Sequence, residues 1–345
     1  MNKPHISLCI PTFNRAVLLQ KTLESVARQT VLPHEVIVVD NASTDNTSQV
    51  VKRYEKYKFR YIQNKTNIGM AGNFNQCIAA ATGDYLAFLH SDDLIAPTWH
   101  EEFLKAIATK RADIYTSSLC TIDETEKLGF VFRTFKKHVF IPKKNVLVAL
   151  TKHYHPILPP TGSTVYKKQV FDRFGKFDPA HGTEYDVVFS MYSLSRYSLY
   201  YVDSILFAYR THPEQTFEFQ QQQKNTDRRL LKLKSHFQLL KDYVEKEKTI
   251  PMNREELIIY NVWMSLCSNN LYIIYGDVKR VFGALVIAHS IFPFLFHRPK
   301  SVVIFIKIQV MFIIRVLVKP FYIWFYQSKL PWLKGYTNLS SVTRR

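Results

Sequence analysis

Residues 85–93 read YLAFLHSDD, a short apolar run that leads directly into two adjacent carboxylates. The run Tyr85–Leu89 has the length and composition of a buried strand. Similar strands are predicted at Ile6–Ile10, Val36–Val39 and Phe59–Gln63, with helical segments between them. Because strands alternate with helices, the sequence predicts an α/β fold with a Rossmann-like, doubly wound and mostly parallel sheet.

Short polar residues are expected to start the intervening helices. Asn14 is predicted to cap the first helix, and either Thr44 or Asp45 the second. A third helix is predicted over Phe74–Ala81. All three helices then return the chain to the start of a parallel strand.

Polar clusters follow three of the predicted strands, at Pro11–Arg15, Asp40–Thr47 and His90–Asp93. In open α/β sheets, ligands bind outside the carboxyl ends of the strands. We therefore predict that the three clusters converge on one crevice. Farther along the chain, Pro156–Thr164 and Gly175–Gly182 are rich in Pro, Gly and His, and they are predicted to be loops that close over this crevice.

Asp92 and Asp93 are the first candidates for chemistry. Two adjacent carboxylates at a strand end are costly to bury unless a cation or hydrogen-bond donors face them. Mg²⁺ and Mn²⁺ prefer oxygen ligands and are commonly held by one or two carboxylates together with substrate phosphates. The pair therefore predicts a site where a metal meets a diphosphate. In an alternative interpretation, Asp93 caps the helix expected around Trp99–Ala106.

Asp40 and Asn41 form a second candidate site at the end of their strand. A carboxylate at this position can hydrogen-bond a base or a ribose, as it does in dinucleotide-binding folds. The alternative is that the segment only provides capping and turn chemistry. The chain contains neither GxGxxG nor GxxxxGK[ST], so neither a dinucleotide fingerprint nor a P-loop is supported.

Composition and charge bound the domain organisation. With 345 residues, 47% of them hydrophobic, the chain can bury a large core, and we expect a domain over 1–218 followed by a helical, basic appendage over 219–345. The net charge is +18, and no acidic residue follows Asp277.

The four cysteines form no CxxC pair, which disfavours a zinc ribbon or a disulfide scaffold. The only apolar run near the N-terminus ends at Pro11, so no signal-peptide core is expected and the first domain is predicted to be cytoplasmic.

The segment Val281–Trp332 is strongly apolar but interrupted by prolines, and none of its stretches reaches the roughly 18 uncharged residues of a spanning helix. If Lys300–Lys319 is helical, its four basic residues share one face and aliphatic residues cover the rest. This pattern is typical of a helix that lies in a membrane interface. The alternative is a helical subdomain packed on the first domain, with its charges solvated.

Eight segments in a specific order carry a family resemblance. They are PTFNR (11–15), VVDNASTDNT (38–47), NIGMAGNFN (67–75), GDYLAFLHSDD (83–93), PTGST (160–164), GKFD (175–178), TEYD (183–186) and YRTH (209–212). Together they resemble family 2 of the inverting glycosyltransferases, whose members have the A-type nucleotide-sugar fold. The resemblance covers roughly residues 6–213.

The resemblance implies roles for individual residues around the nucleotide and the metal. Nucleotide-binding positions would be Pro11, Thr12, Arg15, Asp40, Asn41, Asn67, Asn73 and Ser91. Asp92 would be the metal ligand, and His212 would complete the metal shell unless it is only a loop histidine. His90 stands where the family usually has the first Asp of its Asp-x-Asp motif.

The resemblance also implies which residues contact the acceptor and the transferred sugar. Glu184 stands at the position of the family's general base, with Asp186 two residues on, and either carboxylate can serve, Glu184 being favoured. The carboxylate that is not the base would cap a helix. Gly162, Ser163 and Asp93 are assigned to the region beneath the donor sugar and the acceptor.

The function implied is transfer of a sugar from a UDP- or dTDP-sugar to a hydroxyl group of a lipid-linked glycan, with Mn²⁺ or Mg²⁺ as cofactor. The site of action would be the inner face of the cytoplasmic membrane, during assembly of capsule, O-antigen or exopolysaccharide. One rival is an inactive sugar-nucleotide-binding protein, motivated by His90 and the missing Glu-Asp pair. The other is a nucleic-acid-binding protein, motivated by the net charge; we expect no nucleic-acid partner, because the C-terminal charges interleave with aliphatic residues.

Overall fold

The computed structural model describes residues 4–57, 59–146, 149–150, 160–174, 176–179, 185–211 and 330. The chain packs into two compact units. One consists of Met1–Val146, Leu158–Arg210 and Tyr326–Arg345, and the other of Leu147–Ile157 and Thr211–Phe325. Nearly all of the described residues belong to the first unit.

Ten strands in the described part of the first unit form a single sheet. They are β1 (Ile6–Thr12), β2 (Glu35–Asp40), β3 (Arg60–Gln63), β4 (Tyr85–Phe88), β5 (Leu94–Ile95), β6 (Ile114–Ile122), β7 (Leu128–Phe132), β8 (Val139–Ile141), β9 (Thr164–Lys167) and β10 (Leu199–Arg210). The order across the sheet is β3-β2-β1-β4-β9-β6-β10-β5, with β7 also paired to β6 and β8 to β10.

The first four strands form the predicted parallel half of the sheet. β1 pairs in parallel with β2 on one side and with β4 on the other, and β2 pairs in parallel with β3. Every residue of β1 and β4 is buried, because helices cover both faces of this half. The doubly wound arrangement is thereby confirmed for this half.

The second half of the sheet is mixed. β9 runs antiparallel to both β4 and β6, whereas β10 runs parallel to β6 over their whole length. Most paired residues therefore lie in parallel pairs, but β9 joins the two halves in the opposite direction. A four-residue strand, TVYK, is too short to reveal its direction in sequence.

Within the described residues, the helices that pack on this sheet are α1 (Ala16–Ala27), α2 (Thr47–Lys52), α3 (Gly69–Ala80), α4 (Trp99–Thr109), α5 (Gln169–Phe174) and α6 (Tyr185–Arg196). In α1, Leu19, Leu23 and Val26 are completely buried, which confirms the predicted apolar face. α3 begins five residues before the predicted start at Phe74. Within the described residues, no helix combines the length and apolarity that crossing a bilayer requires.

Several predicted features lie outside the described residues. They are the C-terminal helix at Lys300–Lys319, the two candidates Glu184 and His212, and residues 156–159, 175 and 180–182 of the two loops expected to close over the crevice. The boundary near residue 218 stays a prediction.

Candidate active site at the carboxyl edge of the sheet

The loops after β1 and β2 are joined by hydrogen bonds. The last residues of these strands, Thr12 and Asp40, are register partners. The Asn41 N–H donates to the Thr12 carbonyl at 2.9 Å, and the Asn14 N–H donates to Ser43 Oγ at 2.8 Å. The first two polar clusters therefore meet at the carboxyl edge, as predicted.

The prediction that Asn14 caps α1 is wrong. Asn14 has a left-handed backbone (φ 49°), and its side-chain oxygen accepts the Thr44 N–H at 2.8 Å. The first helical N–H of α1, that of Ala16, donates instead to Asp45 Oδ2 at 2.9 Å. Asp45 Oδ1 accepts the Thr47 N–H at 3.0 Å, so one carboxylate serves the starts of both α1 and α2.

Hydrogen bonding also sets the ionisation of Asp45. Partial burial acts to raise the pKa of this carboxyl, but the hydrogen bonds from Thr47 and Ala16 outweigh it and leave the pKa below its ordinary value. Asp45 is therefore held as a carboxylate at neutral pH.

Asp40, a predicted contact to the base or ribose, is engaged within the protein. The residue is completely buried. Its Oδ1 accepts the Ser43 N–H at 2.9 Å, and its Oδ2 accepts the Tyr61 hydroxyl at 2.5 Å and the Gln63 amide at 3.5 Å. In this arrangement, the carboxylate shapes the loop after β2. The turn-chemistry alternative describes the geometry, and a ligand contact by this residue stays a prediction.

Side-chain amides form a network beside the two loops. Asn41 Nδ2 donates to Asn67 Oδ1 at 2.7 Å, and Asn64 Nδ2 donates to Asn41 Oδ1 at 3.1 Å and to Asn73 Oδ1 at 3.0 Å. Asn73 Nδ2 in turn donates to the Val39 carbonyl at 3.0 Å. The network joins the three predicted asparagines and adds Asn64, which carried no recognisable signal in the sequence.

Arg15 connects the third polar cluster to the first two. Its Nη1 lies 2.5 Å from Asp92 Oδ2, and both side chains are partly exposed, at 23% and 13%. Close by in sequence, the Thr12 hydroxyl is buried and has no hydrogen-bond partner among the described residues. Pro11 and Ser91 are buried beside these residues in the chain. All three predicted clusters therefore border one edge.

His90, Asp92 and Asp93 form a group that is suited to a metal ion. Each offers a ligand atom, and these atoms all lie within 4.8 Å of one another. Asp93 is 1% exposed, and its Oδ2 has no hydrogen-bond partner in the described part of the chain. An unpaired buried carboxylate oxygen is costly, and coordination of a cation would satisfy it.

The alternative in which Asp93 caps a helix is wrong. The residue before α4 is Thr98, whereas Asp93 precedes β5 and its Oδ1 accepts the Arg210 N–H at 2.8 Å. Burial raises the pKa of Asp93 well above its ordinary value, with Asp92 adding to the shift and Arg210 and Arg15 opposing it.

His90 is held on two sides. Its Nε2 lies 3.0 Å from Thr161 Oγ1, and its ring meets the ring of Phe74 edge-on at 5.5 Å. One ring nitrogen is therefore occupied by Thr161, a residue that the sequence did not single out. A neutral imidazole can bind a metal through one ring nitrogen while the other nitrogen keeps a hydrogen bond.

Gly162 and Ser163 are constrained by packing. A Cβ on Gly162 would lie 2.6 Å from two carbons of the Phe207 ring, so the glycine permits contact with β10. Ser163 is completely buried, and its hydroxyl donates to the Pro160 carbonyl at 3.1 Å. Packing against Phe207 is thus enough to require a glycine here, and a role of Gly162 beneath the donor sugar stays a prediction.

Of the two general-base candidates, the structure describes only Asp186. It lies in the first turn of α6 and is half-buried. The preceding residue, Tyr185, packs edge-on against Phe74 at 5.3 Å, and Phe74 contacts His90. An aromatic cluster therefore ties the start of α6 to His90, Asp92 and Asp93, the candidate metal-binding group.

The comparisons with known proteins agree with this geometry. Residues 7–174 match the sequence model described as Glycosyl transferase family 2. The Salmonella typhimurium abequosyltransferase RfbV is 37% identical over 125 residues, 35% of this chain and 36% of the relative. The Campylobacter jejuni GalNAc(5)-diNAcBac-PP-undecaprenol beta-1,3-glucosyltransferase is 30% identical over 149 residues, 42% and 48% of the two chains. The chain thus spans about a third to a half of the length of these curated relatives.

A solved structure supports the fold. The crystal structure of S. aureus TarS 1-349 in complex with UDP-GlcNAc superposes with a TM-score of 0.57 at 17% sequence identity. The match covers 82% of this chain and 79% of TarS 1-349. At 17% sequence identity, this similarity establishes the fold alone.

Proposed function

Because residues 7–174 form a glycosyl transferase family 2 domain, we propose that the protein transfers a sugar from a nucleoside diphosphate to a hydroxyl group during polysaccharide assembly. The observation that carries the proposal is the grouping of His90, Asp92 and Asp93 at the edge where the three strand-end loops meet. Arg15 supplies a positive charge at the same edge. A departing diphosphate is stabilised by positive charge, which Arg15 and a metal ion held by the three residues would supply.

The chemistry of the donor set fits Mn²⁺ or Mg²⁺. Two carboxylates and one imidazole nitrogen lie within reach of a single ion, and Asp93 Oδ2 has no other described partner. Carboxylates suit both ions, and the imidazole of His90 favours Mn²⁺ of the two. When bound, the ion would neutralise charge on the departing diphosphate. His212 would be a further ligand.

The protein's own groups would carry the remaining steps. Arg15 would exchange Asp92 for a phosphate oxygen when the donor binds. Asp186 or Glu184 would remove the proton from the acceptor hydroxyl as this attacks the anomeric carbon. Thr12, Asn41, Asn67, Asn73 and Ser91 would line or support the nucleotide, with Asp40 holding the loop after β2.

Names of the similar proteins guide the choice of donor and acceptor. TarS is seen with UDP-GlcNAc, and the C. jejuni relative is named for an undecaprenol-linked glycan. We extend both to this chain: a UDP- or dTDP-sugar as donor, and a lipid-linked glycan as acceptor, at the inner face of the cytoplasmic membrane. The basic residues after Asp277 would attract an anionic membrane surface.

A binding panel combined with base variants tests the proposal. Binding of UDP-, dTDP- and GDP-sugars to the purified full chain would be measured by calorimetry with Mn²⁺ and with EDTA, and turnover by release of the nucleoside diphosphate. We expect one donor class to bind with Mn²⁺. Either Glu184→Gln or Asp186→Asn should bind that donor normally and lose turnover.

Other outcomes distinguish the alternatives. If donor binds but is never turned over, the inactive sugar-nucleotide-binding protein is the correct interpretation. If none of the donors binds under any condition, the proposed function is wrong. If neither base variant loses turnover, the base lies elsewhere.

A further inference from the structure

Arg210, the last residue of β10, lies directly behind the two aspartates of the metal-binding group. It is completely buried, which is rare for an arginine. Its backbone N–H donates to Asp93 Oδ1 at 2.8 Å, and its side-chain Nε donates to the Asp92 carbonyl at 2.8 Å. One residue thus holds both aspartates, one through its backbone and the other through its guanidinium.

The far side of the guanidinium is also held. Nη1 donates to the Asp123 carbonyl at 3.3 Å, and Nη2 lies 3.4 Å from Glu126 Oε1. The same Glu126 oxygen lies 2.8 Å from Lys21 Nζ on α1. The turn between β6 and β7 therefore fixes the orientation of Arg210.

Glu126 occupies an unusual position for a carboxylate. It is 3% exposed and has a left-handed backbone, with φ of 65°. A non-glycine residue in this region stores backbone strain, and burial of a carboxylate is costly. Glu126, the residue that orients Arg210, combines both of these unfavourable features. The arrangement indicates a requirement for this geometry beyond ordinary packing.

A hydrogen-bond donor on α1 also contacts these aspartates. Thr22 Oγ1 donates to the Asp93 carbonyl at 2.9 Å. The backbone carbonyls of Asp92 and Asp93 are therefore both fixed, one by β10 and the other by α1. This leaves the carboxylate groups, and not the backbone, as the parts that can respond to a ligand.

We propose that Arg210 is a positioning residue that keeps Asp92 and Asp93 in the geometry for metal binding, and that Glu126 and Lys21 keep Arg210 in place. The inference rests on the proposed function, because it assigns a task to the same metal-binding group. Groups that orient metal ligands from behind commonly change metal affinity by about 10- to 100-fold when they are replaced. Arg210 is completely buried and would act through the two aspartates.

The test separates metal-dependent from metal-independent binding. The probe is whichever of UDP, dTDP and GDP the wild-type full chain binds, titrated by calorimetry with Mn²⁺ and with EDTA. In Arg210→Lys, the positive charge is kept, but one ammonium cannot replace the fork that reaches Asp92, Asp123 and Glu126. We expect the gain in affinity that Mn²⁺ gives to fall by about tenfold or more, with affinity in EDTA unchanged.

Two further variants provide a second test and a control. Glu126→Gln removes the charge that orients Arg210 and should reduce the Mn²⁺-dependent gain in the same direction, and it stands in if Arg210→Lys does not fold. Arg133→Lys is the control, because Arg133 follows β7, is exposed, and pairs with Asp203 of β10, seven residues before Arg210. It should leave both affinities unchanged.

The contrary results are distinct. If Arg210→Lys and Glu126→Gln fold and keep the full Mn²⁺-dependent gain, the positioning role is wrong and the proposed function stands. Equal losses with Mn²⁺ and with EDTA would also overturn the role, because they indicate general damage. If the wild type shows no Mn²⁺-dependent gain, the metal part of the proposed function fails together with the inference.

Discussion

At the residue scale, Gly162 provides a test of whether packing or ligand access fixes a residue type. In Gly162→Ala, the new methyl group would meet the Phe207 ring at 2.6 Å, so the ring or the turn must move. We expect a loss of about 1–3 kcal/mol in the free energy of unfolding, measured by urea denaturation. The double variant Gly162→Ala/Phe207→Leu should recover part of this loss. If Gly162→Ala is fully stable but binds donor poorly, ligand access is the reason for the glycine instead.

Single residues also show how far the sequence predicts the site. The positions of the polar clusters could be predicted, because strand-end residues of a parallel sheet share one edge. Their individual partners could not. Asp40 is bound by Tyr61, and His90 by Thr161, 71 residues away, and nothing in the local sequence indicates either pairing. Asn14 and Asp93 have typical capping composition, yet long-range hydrogen bonds determine their partners.

At the scale of elements, Glu35 joins four segments at the amino edge of the sheet. Its Oε1 accepts the Ser7 hydroxyl of β1 at 2.7 Å and the Thr82 N–H at 2.6 Å, and its Oε2 lies 2.8 Å from Arg60 Nη1 of β3. Burial acts to raise the pKa of Glu35, but hydrogen bonds from Ser7, Thr82 and Arg60 lower it to about 2. We predict that Glu35→Gln costs about 2 kcal/mol of unfolding free energy at pH 7, with solvent screening allowed for.

The pH dependence of this loss has a defined sign. Because the folded pKa of Glu35 is below the unfolded value of 4.5, its stabilisation is complete above about pH 4.5 and disappears as the pH falls through about 2. The stability difference between wild type and Glu35→Gln should therefore shrink in urea denaturation as the pH is lowered from 7 toward 3. Glu55→Gln, at an exposed glutamate, is the control and should show no such difference. A difference that is constant with pH would contradict the assignment.

The elements themselves were predictable to different degrees. Apolar runs between polar turns predicted β1, β2 and β4 to within a few residues, because burial on both faces leaves a continuous signal. The antiparallel strand β9 was not predicted, since its direction depends on the neighbours β4 and β6 on either side. The start of α3 at Gly69 was also missed. The asparagine network lies beside this helix start, and helix propensities give no sign of such a network.

At the scale of the whole molecule, Leu330 returns to the first unit from far along the chain. It is 6% exposed and packs with a buried cluster of Leu94, Cys120, Ile122, Leu128, Val131 and Ala208. We predict that Leu330→Ala lowers the free energy of unfolding by about 3 kcal/mol, because it removes buried methyl groups and leaves a cavity. Leu32→Ala, at a leucine that is 40% exposed, is the control. Equal stabilities of the two variants in thermal and urea unfolding would contradict this packing.

Two aspartates at opposite ends of β4 provide the most direct test of metal-dependent sugar transfer. Turnover of the donor that the wild type binds would be measured with and without Mn²⁺ in the wild type, Asp92→Asn and Asp84→Asn. Asp84 precedes the strand, away from the metal-binding group. We predict metal-dependent turnover that falls on the order of 100-fold or more in Asp92→Asn and is unchanged in Asp84→Asn. Turnover that is independent of metal and insensitive to Asp92→Asn would contradict a role of Asp92 in metal-dependent transfer.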